Sequence, residues 1–266
     1  MRATVVVTTY NKTRELDLVL HGLARQSVMP AEVMVADDGS IDETAQLLNE
    51  WQARLDVPLH HVWHEDRGIR KALINNEAVR RSQGDYLIFL DGDSIPHRHW
   101  LADHLASARP GRVLCGRRVR LGPEISDRLA PEAVRTGSLE KIFGSVLKSR
   151  LRGGTRRFGL GIRFPRPVAR LLHPTTRRLM GVNWSAPRKV FEEVNGYDSE
   201  YIGFAGEDAD IDLRFRHGGF ELYPLLNRAV VYHIYHPEKD LPEHLRQRVR
   251  ECEESGRVRC DVGLQQ

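Results

Sequence analysis

The chain has 266 residues, 41% of them hydrophobic, with a formal net charge of +4 and three cysteines. Its length and apolar content suit one large α/β domain or two small ones. There is no run of ~18 apolar residues to span a membrane, and Cys115, Cys252 and Cys260 are too scattered for a disulfide framework or a thiolate zinc site.

Met1-Arg2 leads straight into a strand without a signal-peptide pattern, so a reducing, cytoplasmic setting is expected. The charge is uneven. From Lys141 to Phe191 there is no Asp or Glu and there are about thirteen Lys and Arg, which leaves roughly −9 for the remainder.

Ala3 to Thr9 is rich in β-branched residues and reads as a buried strand, followed by a loop at Tyr10-Asn11. Leu16, Val19, Leu20 and Leu23 predict a helix over 12–26. Glu32 to Ala36 is a second strand, closed by Asp37-Asp38-Gly39-Ser40. Ser40 and Glu43 have capping-box spacing for the next helix, which carries Ala45, Leu47, Leu48 and Trp51. Leu59 to Trp63 is a third strand and Ile69 to Arg81 a third helix. Asp85 to Leu90 is a fourth strand, apolar on both faces, that ends in Asp91-Gly92-Asp93. A turn with two carboxylates is either solvated or suited to a hard divalent cation that also carries phosphate oxygens.

This alternation predicts a parallel sheet with right-handed crossovers. Each strand ends in polar residues, so Tyr10-Asn11, Asp37-Asp38, His64-Glu65 and Asp91-Asp93 should converge on the edge where such sheets bind ligands. Neither G-x-G-x-x-G after the first strand nor G-x-x-x-x-G-K-[ST] occurs, which argues against dinucleotide binding and P-loop hydrolysis.

Four blocks in order, Val5 to Asn11, Val35 to Asp42, Gly68-Ile69-Arg70 with Asn76, and Phe89 to Asp93, resemble family 2 glycosyltransferases. The resemblance implies a GT-A fold, a Rossmann-like, mostly parallel sheet flanked by helices, with a nucleotide-sugar donor and inversion at the anomeric carbon. It implies that Thr8, Tyr10 and Asp38 hold base and ribose, that Arg70 lies near base or phosphate, that Asp91 contacts ribose or metal, and that Asp93 ligates the metal.

Further on, His97, His99 and His104 lie on or beside a helix through Ala108 and read as helix-surface polar residues. Arg112 to Gly116 is a strand. Residues 117 to about 179 are Arg-rich and irregular. Within them Leu139, Ile142, Phe143, Val146, Leu147 and Leu151 predict a basic amphipathic helix, and Phe158, Leu160, Ile162 and Phe164 add apolar residues between the arginines. Such a segment is either a solvated loop closing over the donor or an anion-seeking surface, in which case residues 141–178 face a lipid-linked pyrophosphate acceptor or the inner face of the cell membrane. Nucleic acid is disfavoured, since stacking aromatics are few and no RNA or DNA motif is present.

Regularity returns at Gly181 to Ala186 and Arg188 to Val194. Glu207-Asp208 then opens a helix with Ile211, Leu213 and Phe215, stopped by Gly218-Gly219. This part resembles the acceptor side of the galactosyltransferase and chondroitin-polymerase type of GT-A enzyme. Asp208 would be the catalytic base, Glu207 a supporting carboxylate, and Asn183, Trp184 and Phe204 acceptor contacts. Ile202 and Phe204 stand where that type has tryptophans, and Ala205 where it has a glycine. After a strand at Ala229 to Tyr232, the resemblance places a further metal ligand here, supplied by His233, His236 or both, and imidazole ligands favour Mn²⁺ over Mg²⁺. Leu241 to Glu254 is a helix, with a frayed tail beyond.

The expected whole is a single α/β domain with a nucleotide-sugar half at 1–116, a basic insert at 117–180, an acceptor half at 181–240, and a helix and tail at 241–266. The expected activity is metal-dependent transfer of a sugar from a nucleotide-sugar, in the first place a UDP-sugar, to a glycan or glycolipid hydroxyl. A sugar-nucleotide nucleotidyltransferase would need a Gly-rich basic loop where Thr8-Thr9-Tyr10-Asn11 stands. A non-catalytic glycan- or membrane-binding module on the same fold would be indifferent to Asp208→Asn.

Overall fold

A computed structural model describes residues 1–141, 154–175, 178–237 and 240–265. The chain begins with strands β1 (Ala3–Thr9), β2 (Glu32–Asp37), β3 (Leu59–Trp63) and β4 (Tyr86–Asp91), linked by helices α1 (Thr13–Ala24), α2 (Asp42–Gln52) and α3 (Lys71–Arg81). Then come β5 (Ser94–Pro96), α4 (Trp100–Ser107), β6 (Arg112–Cys115) and β7 (Arg118–Arg120). Short helices α5 (Pro123–Arg128), α6 (Pro131–Arg135), α7 (Ser138–Lys141) and α8 (Arg166–Leu172) follow. The last part holds β8 (Asn183–Pro187), α9 (Arg188–Glu193), α10 (Glu207–His217), β9 (Glu221–Pro224), β10 (Val231–His233) and α11 (Glu243–Ser255).

Seven strands form one sheet in the order β3-β2-β1-β4-β8-β6-β9. The first four are parallel, β8 is antiparallel to both of its neighbours, and β6 and β9 are parallel. The mostly parallel sheet flanked by helices is the α/β architecture the strand–helix alternation predicts. Successive residues of β1 point to opposite faces. Val5 and Val7 pack with Leu16 and Leu20 of α1 and with Leu48 and Trp51 of α2. Val6 packs with Ile74 of α3, Phe191 of α9 and Phe215 of α10. Burial on both faces is why these strands lack polar alternation.

A second sheet, in the order β5-β10-β7, stands beyond the carboxyl end of β4. Its position follows from Gly92, whose N–H donates to Thr8 O at 2.7 Å. A Cβ there would lie 2.8 Å from that oxygen, so only glycine lets the chain turn this tightly out of β4 into β5.

Several expectations are corrected. Ser40 does not cap α2: its hydroxyl accepts the Asn11 N–H at 2.8 Å, and the residue before the helix is Ile41. His104 is wholly buried and bonded to Ser185 and Asn183, so it is core and not surface. Of the basic helix expected over 139–151, α7 covers the first residues, and 142–153 lie outside the described residues. The 117–180 segment is more regular than its composition suggests, because Arg120 bridges Arg156 and α8 forms after Pro165. The tail is docked, not frayed. Leu264 N donates to Asn195 O at 2.7 Å, Arg80 binds the Gly263 and Leu264 carbonyls, and Cys260 and Leu264 are buried.

Candidate active site

The carboxyl ends of β1 to β4 gather the polar residues in three groups. At the first, Asp38 is buried behind β2. Its carboxylate accepts the Arg70 N–H at 2.9 and 3.2 Å and pairs with His64 Nε2 at 2.7 Å. Burial raises its pKa, against the opposing pull of that N–H and of His64. Thr8 donates to Asn75 Oδ1 at 2.7 Å. Tyr10 is exposed and its hydroxyl meets Asp66 at 2.8 Å. Arg70 Nη2 donates to Glu65 O at 2.5 Å, which ties its guanidinium to the β3–α3 loop.

The second group is centred on Lys71, at the first turn of α3. Its Nζ lies 3.1 Å from Asp91, 3.4 Å from Glu207 and 3.9 Å from Asp208. Burial, and then the neighbouring Asp208, push the Glu207 pKa up to about 7. Burial also raises that of Asp208, while Lys71 pulls it back. Asp208 Oδ1 is buried and has no hydrogen-bond partner, which leaves acceptor capacity on that oxygen unused. Gly181 makes room for this carboxylate: a Cβ at that position would lie 2.0 and 2.1 Å from its two oxygens.

The third group is Asp93, His233 and His236, each offering a ligand atom within 4.8 Å of the others. Antiparallel pairing of β10 with β5 sets His233 against Ser94, and Ile234 N donates to Asp93 O at 2.9 Å. His233 Nε2 is 3.4 Å from Asp93 Oδ1, and His236 Nε2 is 3.5 Å from Oδ2. Burial depresses the His233 pKa to about 4, so the ring is neutral, the ligand form, at neutral pH. Burial alone would raise the Asp93 pKa, but His233, Lys12 and His236 outweigh it and hold the carboxyl below its usual value. Lys12 Nζ sits 2.6 Å from Asp93 Oδ2. A carboxylate and two imidazoles are a donor set that fits a divalent metal ion, and a lysine already paired with the carboxylate shows that the point attracts positive charge.

The structure thus brings Asp91, Glu207 and Asp208 to one cation, and Asp93, His233 and His236 to one point. Phe204 is half-buried in the loop that leads into α10. Asn183 and Trp184 are placed elsewhere. Both are 0% exposed. Asn183 Oδ1 accepts from Trp100 Nε1 and its Nδ2 donates to Ala229 O. Trp184 stacks on Phe89 and donates to the Tyr197 hydroxyl. Their expected acceptor contact is corrected, because β8 is an interior strand with both faces covered. Sequence reasoning missed Lys71 and Lys12, and it brought His64 to this edge without a partner. Lys71 directly follows Arg70 in the third block, and Lys12 follows Tyr10-Asn11. Their adjacency to strand-end motifs is the signal that could have found them.

Comparison with known proteins places this geometry in context. The glycosyl transferase family 2 profile matches residues 4–192, and that of the N-terminal domain of galactosyltransferase matches residues 172–237. Validoxylamine A glucosyltransferase of Streptomyces hygroscopicus subsp. limoneus is 29% identical over 228 residues, covering 82% of this chain and 48% of that protein. The chain therefore spans about half the length of that curated relative. Among solved structures, the mannosyltransferase PcManGT of Pyrobaculum calidifontis, in complex with GDP-Man and Mn²⁺, superposes with a TM-score of 0.58 at 21% identity, covering 94% of this chain and 60% of that one. S. aureus TarS 1–349 in complex with UDP gives 0.64 at 16% identity, covering 99% and 68%. Both likenesses are of fold.

Proposed function

The chain belongs to glycosyl transferase family 2, and from that premise we propose that it is a metal-dependent inverting glycosyltransferase. It moves a hexosyl or N-acetylhexosaminyl group from a nucleotide-sugar, in the first place a UDP-sugar, to a hydroxyl of a glycan or lipid-linked acceptor. The observation that carries the reading is the presence of two groups at the carboxyl end of β4: Lys71 with Asp91, Glu207 and Asp208, and Asp93 with His233 and His236.

Asp38, Thr8 and Tyr10 hold the base and ribose, with Arg70 beside them and Asp91 toward the ribose or the metal. Asp208 is the general base. A sugar hydroxyl is a weak nucleophile until its proton is being removed, and the partly exposed Asp208 side chain, with unused acceptor capacity, supports this role. The charge of Lys71 opposes the burial that raises the Asp208 pKa, and Glu207, whose pKa lies near 7, binds the acceptor or shares its proton with the pair. Asp93, His233 and His236 would hold a divalent cation, which would supply positive charge opposite the departing nucleoside diphosphate, with Mn²⁺ suiting the imidazoles better than Mg²⁺. Displacement from the face opposite the leaving group inverts the anomeric carbon.

No helix among the described residues is long and apolar enough to cross a membrane. Peripheral contact through 141–178 is supported by Val168, Leu171 and Leu172 of α8, which are exposed beside Arg166 and Arg170. Co-sedimentation with anionic vesicles at low salt tests that contact, and failure to pellet refutes it. The catalytic reading is tested by thermal shift with UDP, GDP, CDP and dTDP, each with and without Mn²⁺. A metal-dependent rise with one of them is expected. No rise with any refutes the donor site.

A further inference from the structure

Beside the acceptor carboxylate the fold assembles a group of arginines to which the transfer chemistry gives no task. β7 pairs in parallel with β10, which sets Arg118 opposite Val231 and Arg120 opposite His233. On its other edge Arg120 bridges Arg156, with reciprocal backbone hydrogen bonds of 2.9 and 3.1 Å. Residues opposite one another across a ladder project to the same face, as do residues two apart in a strand. Arg118, Arg120 and Arg156 therefore share the face on which His233 meets Asp93. Arg157 follows directly.

Like charges gathered this closely repel. Burial, then Arg118, Arg157 and Arg156, depress the Arg120 guanidinium below its usual pKa. Arg118 acts on both neighbouring groups: its charge lowers the pKa of Asp208 and that of His233. Its Nε is buried without a hydrogen-bond partner. The row starts at His233 and runs through β7 to Arg156, away from β5 and from the strands that present Asp38 and Thr8. Arg118 brings this row within electrostatic reach of Asp208, the side on which the acceptor hydroxyl lies in the proposed reaction.

We propose that Arg118, Arg120, Arg156 and Arg157 form a subsite for a phosphoryl group carried by the acceptor. This deepens the glycosyltransferase reading and rests on it. Planar guanidinium forks match phosphate oxygens bidentately. A phosphate ester or diphosphate carries enough charge to offset several arginines, which one carboxylate does not. The phosphoryl group could sit in a lipid-linked acceptor or in a phosphate-bearing glycan.

Isothermal titration of the full chain, saturated with UDP and Mg²⁺ so that the donor site is filled, tests this with three probes. Glycerol 3-phosphate stands for a glycan phosphate, geranyl phosphate for a lipid phosphate, and glycerate for a carboxylate control. At least one phosphate is expected to bind ten-fold or more tightly than glycerate, and tighter binding of geranyl phosphate would identify the lipid source. Arg120→Gln with Arg156→Gln should weaken that phosphate at least about ten-fold, the scale of losing charge-assisted hydrogen bonds, and leave UDP affinity within two-fold. Arg156→Gln alone, at an exposed position, gives a smaller loss and controls for folding. Equal affinity for glycerate, no phosphate binding by the UDP-loaded protein, or a variant that loses UDP instead would overturn the subsite. Failure of the unmodified chain to bind UDP at all would instead sink the donor-site reading.

Discussion

Lys71→Met removes the cation that Asp91, Glu207 and Asp208 share. At an effective dielectric of ~20, a unit charge at these separations is worth roughly 4 to 5 kcal/mol to each carboxylate, less after allowing for partial solvent access. One unit of pKa corresponds to ~1.4 kcal/mol, so losing Lys71 raises the group by more than one unit and adds about one bound proton to the folded state near neutral pH. The unfolded chain binds no such proton above the ordinary carboxylate range. A carboxyl whose folded pKa is raised lends stability at low pH and loses it as pH climbs through that folded pKa, at ~1.4 kcal/mol per pH unit per proton. Between about pH 5.5 and 7.5 the variant should therefore lose roughly 2.7 kcal/mol more than the parent. For 266 residues, an unfolding entropy of ~2.1 cal/mol/K per residue turns this into a melting-temperature gap that widens by about 5 °C. Differential scanning fluorimetry across that range in one buffer series measures it. Lys71 itself, held well above its usual pKa, titrates outside the window. A gap that stays constant with pH would refute the reasoning, since it would mean that Lys71 is a packing residue and not the counter-charge of the group.

Asp208→Asn should cut turnover by ~10²- to 10⁴-fold, the range for loss of a general base, while the UDP-dependent thermal shift persists; a variant with near-normal turnover would remove Asp208 from the role. His233→Ala should weaken Mn²⁺-dependent UDP binding about ten-fold or more and leave metal-free UDP binding close to that of the parent, read by calorimetry with and without metal. Arg257→Ala strips a partner from Asp198 (2.8 Å) and from the wholly buried Asp210 (2.9 Å). Leaving these charges short of a partner should cost ~3 kcal/mol, or roughly 5 °C in melting temperature, with Arg214 keeping Asp210 partly paired.

The sheet was legible because buried parallel strands announce themselves by β-branched runs, and because strands that stop in carboxylates must present them at one edge. That logic reached Asp38, Asp91 and Asp93 from local pattern alone. It could not reach Lys12, whose partner Asp93 is 81 residues away, or Lys71, whose carboxylates come from β4 and α10. Such pairings are made by topology, and a lone lysine after a motif carries no period. Trp184 and Asn183 misled for the opposite reason. A tryptophan beside an asparagine looks like a binding surface until β8 is seen to run between β4 and β6, where the polar atoms are spent on Tyr197, Trp100 and Ala229. His104 misled in the same way, as a core hydrogen-bonding residue on a helix that seemed to face water. The docked tail was hidden because its anchor, Asn195, adopts a left-handed φ of 64° and offers both backbone and side chain to residues 65 to 70 places away.

The absence of a side chain at Gly181 bears on how a lineage of such proteins could lose activity without losing shape. A single nucleotide change that puts alanine there would thrust a methyl group against the Asp208 carboxylate, displacing the base while leaving every acidic residue in the coding sequence. A gene inventory that judges catalytic competence by the Glu-Asp pair alone would then count a decoy as an enzyme. The residue to check first, before any such protein is assigned a product, is one that has no functional group at all.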